Sequence, residues 1–455
     1  MRKPAVALSA LALALVGPGV LAAREAKAAV VLTVDDAIAL ALRQNPFHLA
    51  SQEKIAQARA GVRQAAAGFL PTLNASGSST LDEKLFVLEF PSMVPGEPPV
   101  RMSIDFTKDY QMGFSFGLPL YAGGRLAAGY RMAASGLKAS RESVRLSEQE
   151  TVLEAKRAFY GYLLAREFSA VADEGLRLAE DFTRNVKNLY EVGMASKFDL
   201  LRSEVQAANL RPQAIRARNS VEVAALGLKT VCGLDLDAPI EVRGELAAPP
   251  LGAEARDIVA EALARRPELR QLDYRRAMAG ESLKIARGAV LPTLAVGGVY
   301  NVWGDALRLR RGVWQNYYTV NLSLSLPIFN GFDAEARIGQ AKAALRELEW
   351  TRKGLSEAIA LEVRQAALNL NQARETLLSQ EMNVEQAREA VRIAELNYAE
   401  GLATNLDVST AQVALSQART NHSQALYDCV MSQAQLEKAV GRGRTESRSN
   451  ERRNP

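Results

Sequence analysis

The chain has 455 residues, 48% hydrophobic and 24% charged, a balance that excludes both a disordered polymer and a bundle of membrane helices. Its net charge of +5 sits at its ends: residues 1–28 carry +3, residues 442–455 carry +3, and the body between them is at −1. A body with no positive excess cannot neutralise a run of phosphates, so nucleic acid is excluded as a partner.

Residues 1–28 read as a secretory signal peptide. Arg2 and Lys3 form the basic region, residues 5–20 the apolar region, and Val20-Leu21-Ala22 or Ala26-Lys27-Ala28 a small-residue cleavage site. No Cys stands near either site, so no amino-terminal lipid is expected. The apolar run is broken by Gly17-Pro18-Gly19, and no other stretch approaches the roughly 20 apolar residues that a spanning helix needs.

An internal repeat governs the rest of the chain. Asn45-Pro46 precedes Leu70-Pro71-Thr72-Leu73, and Arg266-Pro267 precedes Leu291-Pro292-Thr293-Leu294, at an offset of 221 residues. Further on, Leu118-Pro119-Leu120 matches Leu326-Pro327-Ile328, and Tyr190, Gly193 and Asp199 match Tyr398, Gly401 and Asp407, at an offset of 208. The 13-residue difference falls between positions 73 and 110, where Pro91, Pro95, Pro98 and Pro99 predict a long irregular loop. The repeats are taken as 33–231 and 254–441, joined by a linker over 232–253 and followed by a basic, disordered tail over 442–455.

Each repeat opens on helical pattern. Thr33-Val34-Asp35-Asp36 has the form of a capping box, and Pro46 and Pro267 suit the first turn of a helix, where a missing N–H costs nothing. These helices are expected to end near Gly68 and Gly288. Strands come next. Tyr110, Met112, Phe114, Phe116 and Leu118 alternate with small or polar residues, as do Tyr318, Val320, Leu322, Leu324 and Leu326, and weaker strands start at Thr72 and Thr293. Four strands in all are expected.

The next segment, from about 122 to 190, reads as one helix of about 100 Å at 1.5 Å per residue. Thr151, Ala155, Ala158, Tyr162, Ala165, Ser169, Ala172, Leu176, Ala179, Thr183, Val186 and Tyr190 form a seam with steps of four and three. Its counterpart at +208 runs from Ile359 to Tyr398, with Gln380 as its only clearly polar member. Gly193 and Gly401 then suit helix ends, and Ser196-Lys197-Phe198-Asp199 and Thr404-Asn405-Leu406-Asp407 read as fresh capping boxes, so each rod turns back at a tight hairpin tip. The return helices run to about 231 and 440, with a bend expected at Pro212. Cys232 then stands opposite Val440, eleven residues beyond Cys429 or about 16 Å along a helix, so no disulfide is expected between the two cysteines.

Four strands of about ten residues, apolar on one face and polar on the other, have the length to cross an outer membrane but are too few to close a barrel. Open edges cannot face lipid, so copies must associate: two would give eight strands and a plugged interior, three would give twelve and room for a lumen. The fold class is therefore α+β, a four-stranded share of a barrel continued by long antiparallel coiled-coil helices. With only His48 and His422, no Cys or His cluster and no phosphate loop, no catalytic, metal-ligating or cofactor-binding residue is assigned.

The strand ends Leu-Pro-Leu-Tyr-Ala-Gly-Gly-Arg125 and Leu-Pro-Ile-Phe-Asn-Gly-Phe332, with the tips Tyr190-Glu-Val-Gly-Met-Ala-Ser196 and Tyr398-Ala-Glu-Gly-Leu-Ala-Thr404, resemble the TolC-type outer-membrane efflux family over nearly all of 33–441. The resemblance implies a homotrimer with a twelve-stranded barrel, an α-helical periplasmic barrel, and partners in a periplasmic adaptor and an inner-membrane pump. It assigns adaptor docking to Gly193, Ser196, Gly401 and Thr404, which backbone geometry explains equally well as caps. It places Asp407 at the inner aperture, while the family's second acidic position is here Thr410. The alternative class is a periplasmic adaptor or other envelope coiled coil, which should lack the alternating strands.

Overall fold

The computed structural model describes residues 30–79, 85–105, 110–248, 257–304 and 314–442. The expected signal peptide, the last part of the expected linker and the expected tail beyond residue 442 lie outside the described residues. The chain runs β1 (Val30–Leu32), α1 (Val34–Gln44), α2 (Pro46–Ala67), β2 (Thr72–Ser79), β3 (Leu85–Phe90), β4 (Val100–Asp105), β5 (Tyr110–Ala122), α3 (Arg125–Glu191) and α4 (Lys197–Cys232). It continues through β6 (Ile240–Val242), α5 (Ile258–Arg265), α6 (Pro267–Gly288), β7 (Thr293–Gly304), β8 (Trp314–Ser325), α7 (Asp333–Ala399) and α8 (Asn405–Val440).

The helix starts follow from local chemistry. The Thr33 hydroxyl accepts from the Asp36 N–H at 3.3 Å, and the Asp36 carboxylate accepts from the Thr33 N–H at 3.2 Å, so two donors that a helix leaves free are satisfied. Pro46 and Pro267 each occupy the first turn of their helix. Asn45 Oδ1 accepts from the N–H groups of Phe47 and His48, while its Nδ2 donates to the carbonyl of Val231 at 3.1 Å and ties α2 to the end of α4. Pro212 lies inside α4, which continues as one helix on both sides of it.

Strands β2, β5, β7 and β8 form one antiparallel sheet in that order, with β2 and β8 at its edges. Among the described residues there are eight strands, four more than the sequence pattern indicates. Two of these correct the expected irregular loop: β3 and β4 pair as a hairpin, with Glu89 opposite Arg101 and their side chains 2.7 Å apart. The four prolines sit in the connection between these strands, where the missing N–H breaks no ladder bond. The other two, β1 and β6, are three-residue strands paired in parallel, so the linker returns to the start of the chain. They are too short to show alternation.

Helices α3 and α7 have 67 residues each, and α4 and α8 have 36 each. All twelve seam positions of α7 are buried or half-buried. In α3 eleven of the twelve are too, Tyr190 alone being exposed, and Phe159 and Leu163, which lie outside the seam, are buried as well. The cause is a second contact. Leu32 of β1, Ala37 of α1, Val242 of β6 and Leu228 and Cys232 of α4 pack on Phe159 and Leu163, so α3 buries two faces at that level. The equivalent cluster on α7 joins Ile359, Val363 and Ala366 to Ala262, Leu269, Ala439 and Val440.

Arg442, assigned by composition to the tail, belongs to the folded body. Its guanidinium donates to both carboxylate oxygens of Glu261 on α5, at 3.1 and 2.9 Å. That bidentate contact, ahead of a desolvation effect that opposes it, holds the Glu261 carboxyl below its usual range. Cys232 and Cys429 are both free and buried, and burial pushes the Cys232 thiol up to about 11.

Phe159 is about 2% exposed and stands at the centre of the cluster that fastens the amino-terminal end. Phe159→Ala should therefore cost about 3–5 kcal/mol, the range for deleting a buried aromatic ring. A thermal midpoint in detergent that stays unchanged would refute that placement.

Candidate functional site: the wall and the hairpin tips

Facing residues in an antiparallel ladder share a face, so the register sorts the sheet into two surfaces. Leu73, Phe116, Gly298 and Val320 lie on one face, beside Phe114, Tyr300 and Tyr318. The opposite face carries Asn74, Ser115, Val299 and Thr319, followed by Ser76, Gly113, Asn301 and Tyr317. The second face makes its own polar contacts: Asn301 Nδ2 donates to the Tyr317 hydroxyl at 2.7 Å, and Ser76 Oγ to the Gly113 carbonyl at 3.4 Å. On the first face Tyr318, Val320, Leu322 and Leu324 stand exposed. No helix among the described residues is long and apolar enough to cross a membrane.

At the far end of the rods both tips are built alike. The α3 helix closes with Gly193 N–H donating to Tyr190 O at 3.0 Å and Met194 N–H to Leu189 O at 2.7 Å. The α7 helix closes with Gly401 N–H to Tyr398 O at 3.0 Å and Leu402 N–H to Asn397 O at 2.8 Å. This closure needs a left-handed residue, and Gly193 and Gly401 supply φ values of +81° and +75°. Ser196 then caps α4 and Thr404 caps α8. Asp199 and Asp407 each return a carboxylate oxygen to the capping hydroxyl at 2.6 Å.

The structure brings the two tips together. Phe182, Val186 and Val408 form a small core against Leu200, Ala394 and Tyr398, with the rings of Phe182 and Tyr398 5.2 Å apart. Asn405 Nδ2 donates to the carbonyl of Asp199 at 3.0 Å, a direct bond from one tip to the other, while Asn405 Oδ1 is buried with no hydrogen-bond partner. The repeat marks position 405 only by mismatch, since Lys197 stands 208 residues earlier. Val192, Met194, Phe198, Leu402 and Leu406 remain exposed around the tips.

Asp407 is exposed, and its carboxyl is held below the usual aspartate range by the Thr404 hydroxyl first and the Thr404 N–H second. A depressed carboxyl stabilises the fold above its unfolded pKa, and that contribution is lost as pH falls through the lowered value. Among the described residues no group of three His, Cys, Asp or Glu is arranged to hold a metal. His48 is buried in α2, with Nε2 3.0 Å from Gln52 Nε2.

Likeness in sequence and likeness in fold both bear on this geometry. The sequence profile described as "Outer membrane efflux protein" matches residues 37–234 and 258–442. The alkaline protease secretion protein AprF of Pseudomonas aeruginosa is 27% identical over 320 residues, which cover 68% of this chain and 64% of AprF. The pyoverdine export outer membrane protein OpmQ of the same organism is 27% identical over 407 residues, covering 87% of this chain and 82% of OpmQ. Among solved structures, CusC, described in terms of transmembrane channel formation, superposes with a TM-score of 0.75 at 18% identity, covering 90% of this chain and 92% of CusC. These matches do not support the adaptor alternative.

Removing the link between the tips should loosen them locally. With Asn405→Ala, amides of residues 193–202 and 401–409 should exchange several-fold faster while the thermal midpoint stays nearly constant. With Thr404→Ala, loss of the cap should cost about 1 kcal/mol. Hydrogen exchange measures both, and unaltered protection at the tips would count against the bond.

Proposed function

The chain belongs to the outer membrane efflux protein family, and on that premise we propose that it is one protomer of a homotrimeric export duct. The duct takes substrates from an inner-membrane pump and a periplasmic adaptor to the cell exterior, as the exit channel of an efflux or type I secretion system. The single observation that carries this reading is the four-stranded sheet with an exposed apolar face and two open edges, continued by rods of 67 residues. Lipid forbids unpaired backbone, so such a sheet is completed only by further copies.

In this reading the apolar face meets the lipid of the outer membrane, the polar face lines the lumen, and the rods reach through the periplasm. Conduction, and not catalysis, is the activity, with no cofactor. Residues 33–231 and 254–441 act as two equivalent repeats of the wall, joined by 232–253. Residues 1–28 direct export and are removed, without lipidation. Gly193, Ser196, Gly401 and Thr404 shape the tips that receive the adaptor, aided by the exposed side chains of Met194, Phe198 and Leu402. Three copies of Asp407 converge near the axis, where a ring of carboxylates attracts cations.

Size determination in detergent should give three chains per particle, and reconstitution into planar bilayers should give discrete conductance steps. Asp407→Asn should raise single-channel conductance or weaken block by divalent cations. A particle of one chain, or bilayers that never conduct, would overturn the duct, whereas a silent Asp407→Asn in a conducting channel would reduce Asp407 to a helix cap.

A further inference from the structure

The duplication can be tested against itself inside the chain. Residues of α2 and β2 map onto α6 and β7 by adding 221, and residues of β5 and α3 onto β8 and α7 by adding 208. The pairs Thr72 with Gly117 and Ser79 with Tyr110 then map onto Thr293 with Ser325 and Tyr300 with Tyr318, and all four pairs are observed. The strand register of one repeat thus reproduces that of the other.

One contact has no counterpart among the described residues. Strand β5 pairs with β7 across the junction between repeats, but β8, the equivalent of β5, has an unpaired outer edge, and so does β2, the equivalent of β7. Helices follow the same rule: α3 packs along α8, whereas α7 and α4 make no comparable contact. The faces left over are apolar. Leu361, Leu368 and Leu378 of α7 are exposed, as are Ile215 and Val223 of α4, while Ser423 and Met431, the α8 equivalents of these two, are buried.

The segment just after β8 carries the same imprint. Residues 118–122 are strand, paired to β7 through Leu118 with Val296 and, after a bulge, Tyr121 with Leu294. Their equivalents, 326–330, are not strand, and Ile328 and Phe329 are 94% and 75% exposed. Gly123 closes so tightly on Gly288 and Leu291 that a Cβ there would collide, whereas its equivalent Gly331 has nothing within 4 Å. The sequence keeps the chemistry of a paired strand end where the single chain supplies no neighbour.

We infer that β8 closes the wall on β2 of a second copy of this chain in one register, obtained by carrying the β5–β7 register across by the same two offsets. Resting on the shared-barrel reading above, it pairs Ser323 with the partner subunit's Ser78, Leu324 with the partner subunit's Gly77, and Ser325 with the partner subunit's Ser76. The face parity is right: Leu324 and Gly77 fall on the apolar surface, and the serines on the polar one. Residues 326–330 become strand on assembly. On the helices, Lys138 Nζ lies 5.9 Å from the Tyr274 ring across α3 and α6, and the mapped pair is Arg346 with the partner subunit's Glu53. Arg346 and Glu53 are exposed and have no ion-pair partner in their own chain among the described residues, so the charges are complementary where the register needs them.

The test is disulfide trapping in the purified, detergent-solubilised full chain, with the buried native cysteines retained. Ser76 and Ser325 lie on opposite edges of the protomer's sheet, three strand spacings or about 14 Å apart across it and, since Ser76 is level with Tyr317, a further eight residues or about 27 Å apart along it, so a bond between Cys at these positions joins different chains. Oxidised Ser76→Cys/Ser325→Cys protein should run as a reducible covalent trimer on denaturing gels. Each single variant, and the pair Ser76→Cys/Ser323→Cys, displaced by two residues, should stay uncrosslinked. Bonding by the displaced pair, or by neither pair in protein that sizes as a trimer, would overturn the register and leave the duct standing; protein that sizes as one chain would overturn both. Arg346→Glu should lower the temperature at which the trimer dissociates, and adding Glu53→Arg should restore it. A double variant no better than the single would count against the register.

Discussion

A backbone N–H or C=O facing hydrocarbon has no water to bond, and each such group left unpaired costs several kcal/mol. The rest of the molecule follows from that constraint. The edges of β2 and β8 each present a row of these groups beside an apolar face, so the sheet is incompatible with lipid as a single chain. Strand tilt in a closed wall then fixes where each helix leaves the sheet, and the helices inherit the ring. Their seams need only be narrow. Ala155, Ala179, Ala366 and Ala373 are buried where helices approach closely, and larger side chains there would force the rods apart.

The two repeats share a backbone but not all of their chemistry. Gly233 and Gly441 stand 208 residues apart with φ of +68° and +79°, and each ends a return helix against the junction that starts its repeat's second helix. At that junction the first repeat uses Asn45 as a neutral cap, whereas the second uses Arg266, about 4% exposed and paired with Glu362. A neutral cap demands little desolvation, whereas the buried guanidinium depends on two carboxylates, Glu362 and, 3.5 Å from its Nε, Glu268. Similarly, Gly124 holds a left-handed turn before α3 and Phe332 holds the same turn before α7, at φ +66°. A side chain there carries backbone strain of about 1 kcal/mol or more, and its ring packs edge-on against Phe329 at 5.5 Å.

Much of this was legible in the residues because it rests on period and local capping. Alternation over ten residues marked β5 and β8, steps of four and three marked α7, and glycine followed by a capping box marked both tips. What escaped detection depends on contacts distant in sequence. Phe159 and Leu163 are buried because β1 and β6 cover them, and nothing in the helix itself announces a second neighbour. The β3–β4 hairpin hid behind four prolines that occupy its connection and not its strands. Asn405 gave no signal beyond its departure from Lys197, since a cross-tip bond to a carbonyl leaves no periodic trace.

The parallel pairing of β1 with β6 joins residues 30–32 to residues 240–242. Pairings this distant form late, because a loop of some two hundred residues must close before any contact rewards it. A polypeptide delivered amino-terminus first therefore emerges with a loose leading end and stays vulnerable to proteases there. Only when residues 240–242 have arrived can that end be clasped.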